Sequence, residues 1–504
     1  MLDPSSKSQR TATLPSTEEA QIAHATPVSF ADLSASIQAL KHELPRQDIE
    51  RLGSGLTLAF VQSLNTRTLS IVDSFFLKVA NAPTPISSNA RQTARHLQEL
   101  LRTLADTLLK LAANSTIRAT RNNTPPHDAT LLRDALDILT KHFLIDFLTK
   151  TSPNVGLWQQ LHQAYTMAIE KGQPGTTPSA TTPSFQDLYY STVLLGCAQP
   201  ATFSAEEVLF LYAYLRRYAC EIDSNCEKPH SDVVLFWTDP ASDIPATPTP
   251  RKRPTPDTPV SYFSCSRLVT LIRQQILRLE AGEPSDKIGL PDFANTTAGQ
   301  GALRRLADIL ETPRKRRFPR RRQNYRVEMC FGVDNILALV SASSRPAPES
   351  LWMITNESPD GYAAMHISGK GSAVDVGDVA ALRTEGLRSW QLCLIRRFHS
   401  DNPEHIELGL QILAPRILPA SVAIASPCGM HTVQHPAIFI PTTPTIRENE
   451  GLIVAANALP PPPTRLVLIV EGDNLSVREI RTIQREEQRG RIEIFQIKAV
   501  EQEE

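Results

Sequence analysis

The 504-residue sequence predicts a multidomain α+β protein: a mainly α-helical N-terminal region, then a small antiparallel β-barrel, then a small C-terminal β-rich extension. Three patterns predict it. From Ser29 onward, for nearly two hundred residues, apolar side chains recur three or four positions apart, the spacing of one helix face. Between Arg326 and Leu413 they fall instead in short runs broken by Gly, Asp and Pro, as strands and turns require. The short-run pattern returns after residue 420. The length suffices for two to four domains, each with its own core.

Residues 1–28 are rich in Ser, Thr, Pro and Ala with little apolar bulk, so burial cannot offset the entropy of ordering, and disorder is expected. A helical domain is expected over 29–239. Ser29 caps its first helix and Pro45 opens a second. The clearest helix runs from Ser88 to Asn114, where Leu97, Leu100, Leu101, Leu104, Leu108 and Leu111 form one stripe, read as bundle core. Further helices are expected at about 128–150, 155–171, 184–196 and 204–221, the last capped by Ser204 with Glu206 and Glu207 in its first turn. One strand, around Val233–Trp237, ends the region.

Residues 240–260 hold seven prolines and Arg251-Lys252-Arg253, the composition of an extended, solvated linker. A helical segment over 261–313 then leads to an arginine arm and barrel at 314–420, with strands near 326–331, 350–355, 362–368, 377–383, 390–398 and 405–413. Apolar residues at 336, 337, 339 and 340 leave the stretch 332–341 open between helix and strand. The β-rich region 421–504 offers strands at 437–440, 451–455 and 466–470 and a hairpin of 477–483 with 492–497. With about 80 residues its core is marginal, so it is expected to pack on the barrel.

The formal net charge is −1, so any basic cluster is local rather than a property of the chain. Seven scattered cysteines suit reduced thiols better than a disulfide framework. No apolar run approaches the roughly 18 to 20 residues needed to span a bilayer, and no signal-peptide core follows the first residues. A cytoplasmic protein with no membrane span is expected.

Chemistry concentrates between Arg314 and Gly361. Residues 314–326 contain eight cations, seven of them Arg. A guanidinium is a planar fork of donors that pairs bidentately with phosphate or with the O6/N7 edge of guanine, which an ammonium does not. Thirty residues beyond Arg326, Asn356-Glu357-Ser358-Pro359-Asp360-Gly361 supplies an amide, a hydroxyl and a glycine at a turn between two apolar runs.

An RRxxxR arm followed at this distance by [D/N]xSxxG on a small β-barrel resembles the PilZ domain family, bacterial receptors of the second messenger cyclic di-GMP. The resemblance covers about 314–420, a fifth of the chain. Arg322 and Arg326 match the two motif arginines, and Asn356, Ser358 and Gly361 match the second motif. Arg321 is placed to reach a second guanine if two ligands stack. A second RxxxR register, Arg316 to Arg320, is also present, but the strand begins directly after Arg326. Gly409, in a later strand, matches a glycine the family often carries there.

The resemblance implies a non-enzymatic effector with cyclic di-GMP as its ligand and no metal. The arm would be mobile without ligand, fold upon it, and reorient the helical region, which would contact a protein partner in regulating motility or biofilm. The rival readings are a nucleic-acid-binding protein using the arm electrostatically, which is not favoured because no RNA-binding signature accompanies the arginines, and an adapter whose barrel has lost its ligand.

Other constellations are weaker. Cys428-x-x-His431-x-x-x-His435 has metal-like spacing but no nearby fourth ligand, and it reads as a loop. Ser368-Gly369-Lys370-Gly371-Ser372 lacks the first glycine of a phosphate loop and reads as a turn. No nucleophile elbow, zinc-protease motif or paired-carboxylate site stands out, so no catalytic function is expected.

Overall fold

Capped, amphipathic segments make up the first half of the chain. The computed structural model describes residues 29–44, 54–122, 128–171, 184–226, 234–313, 318–340, 350–369, 374–402, 405–424, 433–444, 447–472, 474–489 and 491–500. The stretch 1–28 expected to be disordered, the start of the helix expected at Pro45, Arg314 to Arg317, and Cys428 and His431 lie outside these residues.

Helices α1 (Phe30–Glu43), α2 (Ser54–Ala80), α3 (Ser88–Asn122), α4 (Asp128–Thr149), α5 (Leu157–Glu170), α6 (Phe185–Cys197) and α7 (Ala205–Tyr218) come first. Ser29, Ser184 and Ser204 cap α1, α6 and α7 in reciprocal boxes with Asp32, Asp187 and Glu207, satisfying backbone N–H groups that a helix start leaves open. The leucine stripe of α3 is buried at Leu97, Leu100, Leu101, Leu104 and Leu108.

A small antiparallel sheet follows, of β1 (Asp223–Cys226), β2 (Phe236–Thr238), β3 (Thr247–Pro248) and β4 (Ser261–Ser264), ordered β1-β4-β2-β3. Then come α8 (Ser266–Glu280), α9 (Ser285–Ile288) and α10 (Thr297–Glu311). One continuous core runs from Leu33 to Leu310, so the helical segment after the prolines belongs to the same unit as α1–α7.

Residues 240–260 are therefore not the extended, solvated linker their composition suggests. The Asp243 carboxylate accepts hydrogen bonds from the backbone N–H groups of Gly156, Trp158 and Gln159, at 2.6, 3.0 and 3.3 Å, capping α5 from a distance. The His162 Nε2 lies 3.0 Å from the Ile244 carbonyl, and the Trp237 indole donates to the Lys252 carbonyl at 2.8 Å. The prolines remove backbone donors and fix φ, and these side-chain bonds then hold the loop down.

Two closed six-stranded barrels follow. Barrel 1 contains β5 (Arg321–Phe331), β6 (Ser350–Ser358), β7 (Gly361–Ser368), β8 (Val379–Thr384), β9 (Gln391–Asn402) and β10 (His405–Ala414), ordered β10-β7-β6-β5-β8-β9. Barrel 2 contains β11 (Leu418–Ile424), β12 (Gln434–Ile440), β13 (Gly451–Ala455), β14 (Arg465–Glu471), β15 (Leu475–Arg489) and β16 (Ile492–Ala499), ordered β11-β12-β13-β16-β15-β14. The expected small extension is thus a barrel in its own right, and its first strand begins at Leu418. Closure answers the marginal core, because it leaves no open sheet edge and encloses Val422, Leu452, Leu468, Ile480 and Phe495.

The open stretch after β5 is a helix, α11 (Val333–Val340). Its buried Ile336 joins a third apolar cluster built from the outer faces of both barrels, with Val379, Leu392 and Leu394 on one side and Ile438, Ile453 and Ile494 on the other. The barrels are fused through this cluster, as the expectation that the C-terminal region packs on the first barrel requires.

Barrel 1 is also tied to the helical unit. The Arg91 guanidinium donates to the Ser400 carbonyl at 2.6 Å and to its Oγ at 3.1 Å. The Ser400 N–H donates to the Lys150 carbonyl at 2.9 Å, and the Ser152 N–H to Asp401 at 3.2 Å. Burial lowers the pKa of Lys150, whose ammonium donates to the Phe203 carbonyl. Strand β15 of barrel 2 lies against α10.

Candidate functional site

The arginine arm, expected to be mobile, is a strand from Arg321 onward. Tyr325, Val327, Met329 and Phe331 point into barrel 1, where they meet Trp352, Ile354, Tyr362 and Ala364, so Arg326 points outward. Between Arg322 and Tyr325 the register with β6 slips, an irregularity that re-aims side chains. The residues paired across it are Arg321 with Glu357, Arg322 with Asn356 and Arg326 with Met353.

The two halves of the sequence motif therefore sit directly opposite each other on neighbouring strands. Arg322 and Asn356 pair on the outer face, because Asn356 is itself opposite Ala363, which lies between the inward Tyr362 and Ala364. The row continues from Ala363 to Gly409 on β10 and from Gly409 to Arg397 on β9. A second row runs Arg326, Met353, Met365, Glu407, His399. The result is a floor of Ala363, Gly409, Met353 and Met365 with Arg322, Arg326 and Asn356 along one margin.

Arg321, Arg322 and Arg326 form no ion pair or side-chain hydrogen bond among the described residues, and all three are exposed. Neighbouring Arg383 behaves differently. It pairs with Glu328 through Nε at 2.7 Å and lies 4.3 Å over the Trp390 ring. Arg322 and Arg326, left without partners beside an apolar floor, suit a flat anion, and Arg321 adds charge at the barrel mouth.

Arg321 and Glu357 face the barrel mouth, on the side of Tyr362. The Tyr325 hydroxyl lies 3.4 Å from Glu357 and the Tyr362 hydroxyl donates to Gln391 at 2.9 Å. Burial, followed by the Glu357 carboxylate, pushes the Tyr325 phenol up. Burial likewise pushes Tyr362 up to about 12. Both remain neutral donors at ordinary pH.

Ser358 and Gly361 are engaged by the turn between β6 and β7. Ser358 Oγ lies 2.7 Å from Asp360 Oδ1 and 3.1 Å from the Gly361 carbonyl. A Cβ on Gly361 would fall 2.1 Å from the Leu410 carbonyl oxygen, so glycine is required there for β7 to approach β10. Sequence reasoning did not single out Glu357 and Asp360, although both lie inside the motif and supply carboxylates able to accept from a guanine N1 and N2 edge. Nor did it find Arg397, which no motif marks.

Among the described residues no group of His, Cys, Asp and Glu is arranged to hold a metal ion. Of the spaced Cys428, His431 and His435, only His435 is described, on β12. No helix among the described residues is long and apolar enough to cross a membrane.

Residues 23–226 match a protein-family model described as the N-terminal domain of the cyclic-di-GMP receptor FimW. The match covers α1–α7 and ends in β1, so the helical unit is similar to part of a cyclic-di-GMP receptor. Comparison with curated proteins and with solved structures gives no match.

Proposed function

We propose that this protein is a non-enzymatic cyclic di-GMP effector of the PilZ-like kind, acting in the bacterial cytoplasm. The ligand sits on the outer face of barrel 1, and its occupancy is read by a protein partner through the helical unit. The observation that carries the reading is the pairing of Arg322 with Asn356 across β5 and β6, with Arg321, Arg322 and Arg326 unpaired around it. The family match of residues 23–226 supports the same ligand from a different part of the chain.

In this reading Arg322 and Arg326 grip phosphate and a guanine edge, Asn356 bonds the base, and Ser358 and Gly361 hold the turn that positions Asn356. Arg321, beside Glu357, reaches a second guanine. Bidentate Arg to guanine pairing is worth about 1 to 3 kcal/mol per pair. Two or three such contacts, less the cost of ordering, place the affinity near micromolar or tighter, about −8 kcal/mol. Because Arg321 to Arg326 already form a strand, the ordering cost falls on fewer residues than a wholly mobile arm would require. Bound ligand biases the joint between barrel 1 and the helical unit, and so the surface a partner meets, in a pathway such as motility or biofilm formation.

Calorimetric titration of cyclic di-GMP into the wild type, Arg326→Ala and Ser358→Ala at two salt concentrations, with GTP as control, tests this. Micromolar binding that falls about a hundred-fold in Arg326→Ala and several-fold in Ser358→Ala is expected. An absence of binding by the wild type, with RNA affinity falling steeply as salt rises, would favour the nucleic-acid reading instead.

A further inference from the structure

We propose that Arg397, on β9, is a ligand-positioning residue that closes the far side of the same surface, a role that rests on the reading of barrel 1 as a cyclic di-GMP site. The register of β9 against β10 jumps from Ile395 opposite Leu410 to Arg397 opposite Gly409, leaving Arg396 as an extra residue. Such a bulge lets two consecutive side chains leave the sheet on one face. Their fates differ. Arg396 is engaged, donating through Nε to Gln411 at 2.6 Å and pairing with Glu487 of barrel 2. The Arg397 side chain is 45% exposed, and its ion-pair partner among the described residues is Glu407, with Nη2 4.0 Å from Oε2.

Arg397 lies over Gly409. A Cβ on that glycine would meet the Arg397 Cβ at 3.1 Å and its Nε at 3.7 Å, so the missing side chain makes room for the guanidinium above β10. Gly409 is opposite Ala363, and Ala363 is opposite Asn356. Along the wall of the closed barrel β6 to β9 is three strand steps, about 14 Å of curved surface at ordinary strand spacing. Arg397 leans back over Gly409 of β10, which shortens the stretch of wall that a ligand with two planar bases joined by phosphates has to follow. Arg322, Arg326 and Asn356 hold one end, and Arg397 meets the other with a second planar fork. Strand β9 also carries Ser400, which Arg91 of the helical unit grips, so ligand pulling on Arg397 acts on the strand that joins the two units.

The test is titration of cyclic di-GMP into wild type, Arg397→Ala and Arg465→Ala, with melting temperatures recorded for each. Arg465 is an exposed arginine of barrel 2 with a loose pair to Glu479 at 3.9 Å, and it controls for general loss of positive charge. The expected result is roughly ten-fold weaker binding in Arg397→Ala, unchanged affinity in Arg465→Ala, and melting temperatures equal to wild type. Equal affinity in Arg397→Ala, or an equal loss in Arg465→Ala, overturns the role of Arg397 and leaves the reading of the site standing. Absence of binding by the wild type overturns both.

Discussion

Barrel 1 and barrel 2 are built alike inside and differ in how three arginines of each are engaged. Each is a closed antiparallel ring of six strands around an apolar interior. In barrel 2, Arg447 pairs with Glu486 at 2.6 Å, Arg478 with Glu450 at 2.8 Å and Arg485 with Glu493 at 3.0 Å. In barrel 1, Arg383 and Arg396 are likewise paired, and the guanidiniums of Arg321, Arg322 and Arg326 are not. Pairing makes an arginine part of the scaffold. Its absence at Arg322 and Arg326 on the outer face, and at Arg321 by the barrel mouth, leaves those charges exposed.

This contrast has measurable edges. The largest effect on stability is expected at Glu493, whose side chain is fully buried and also accepts from the Asn457 backbone at 3.1 Å. Glu493→Gln keeps that bond and leaves the Arg485 charge uncompensated, which is expected to destabilise the chain by about 3 kcal/mol. Chemical denaturation measures it, and cyclic di-GMP affinity is expected to stay within two-fold of wild type. A large loss of affinity would mean that the barrels do not divide structure and binding as described.

Gly361→Ala comes next. The new methyl meets the Leu410 carbonyl and forces β7 away from β10, at a cost of about 2 kcal/mol. Because the turn carries Asn356, affinity is expected to fall as well. Unchanged stability with lost binding would instead make Gly361 a point of direct ligand approach.

The smallest effect lies in the helical unit. Burial, then the Asp137 charge, pushes the Asp134 carboxyl up to about 6. The folded state holds this proton up to that pH, whereas the unfolded chain releases it near pH 4. Stability from this group is therefore full below about pH 4 and is lost as pH rises through 6. Asp134→Asn is expected to remove the loss, stabilising the protein by on the order of 1 kcal/mol at pH 7.5 and little at pH 4.5. Melting curves at the two pH values check it, and the reverse ordering would contradict a half-buried carboxyl with a raised pKa.

The sequence made some of this legible and left the rest to tertiary pairing. Ser29 and Ser204 announced their helices because capping is local, and the leucines of α3 announced their burial because one face repeats every turn. Residues 240–260 were misleading because proline reports backbone restriction and says nothing of Asp243 reaching α5. Strand β11 went unseen, its start at Leu418 lying between Pro415 and Pro419. Ring closure of barrel 2 depends on long-range partners that no local pattern encodes.

At the site, the motif arginines and the Asn356 turn were readable as residue types. That Arg322 would stand opposite Asn356 depends on the register slip in β5, and Arg397 depends on a bulge in β9. Both are properties of the paired strands, and neither leaves a mark in composition.

The most direct test of the contrast is calorimetric titration of cyclic di-GMP into two variants side by side: Arg322→Ala with Arg326→Ala, and Arg447→Ala. Removing the unpaired arginines is expected to weaken binding at least a hundred-fold, in keeping with about 1 to 3 kcal/mol for each bidentate contact. Removing the paired Arg447 of barrel 2 is expected to leave affinity within two-fold of wild type and to lower the melting temperature. Equal affinities in the two variants, or loss of binding in Arg447→Ala alone, would contradict the account.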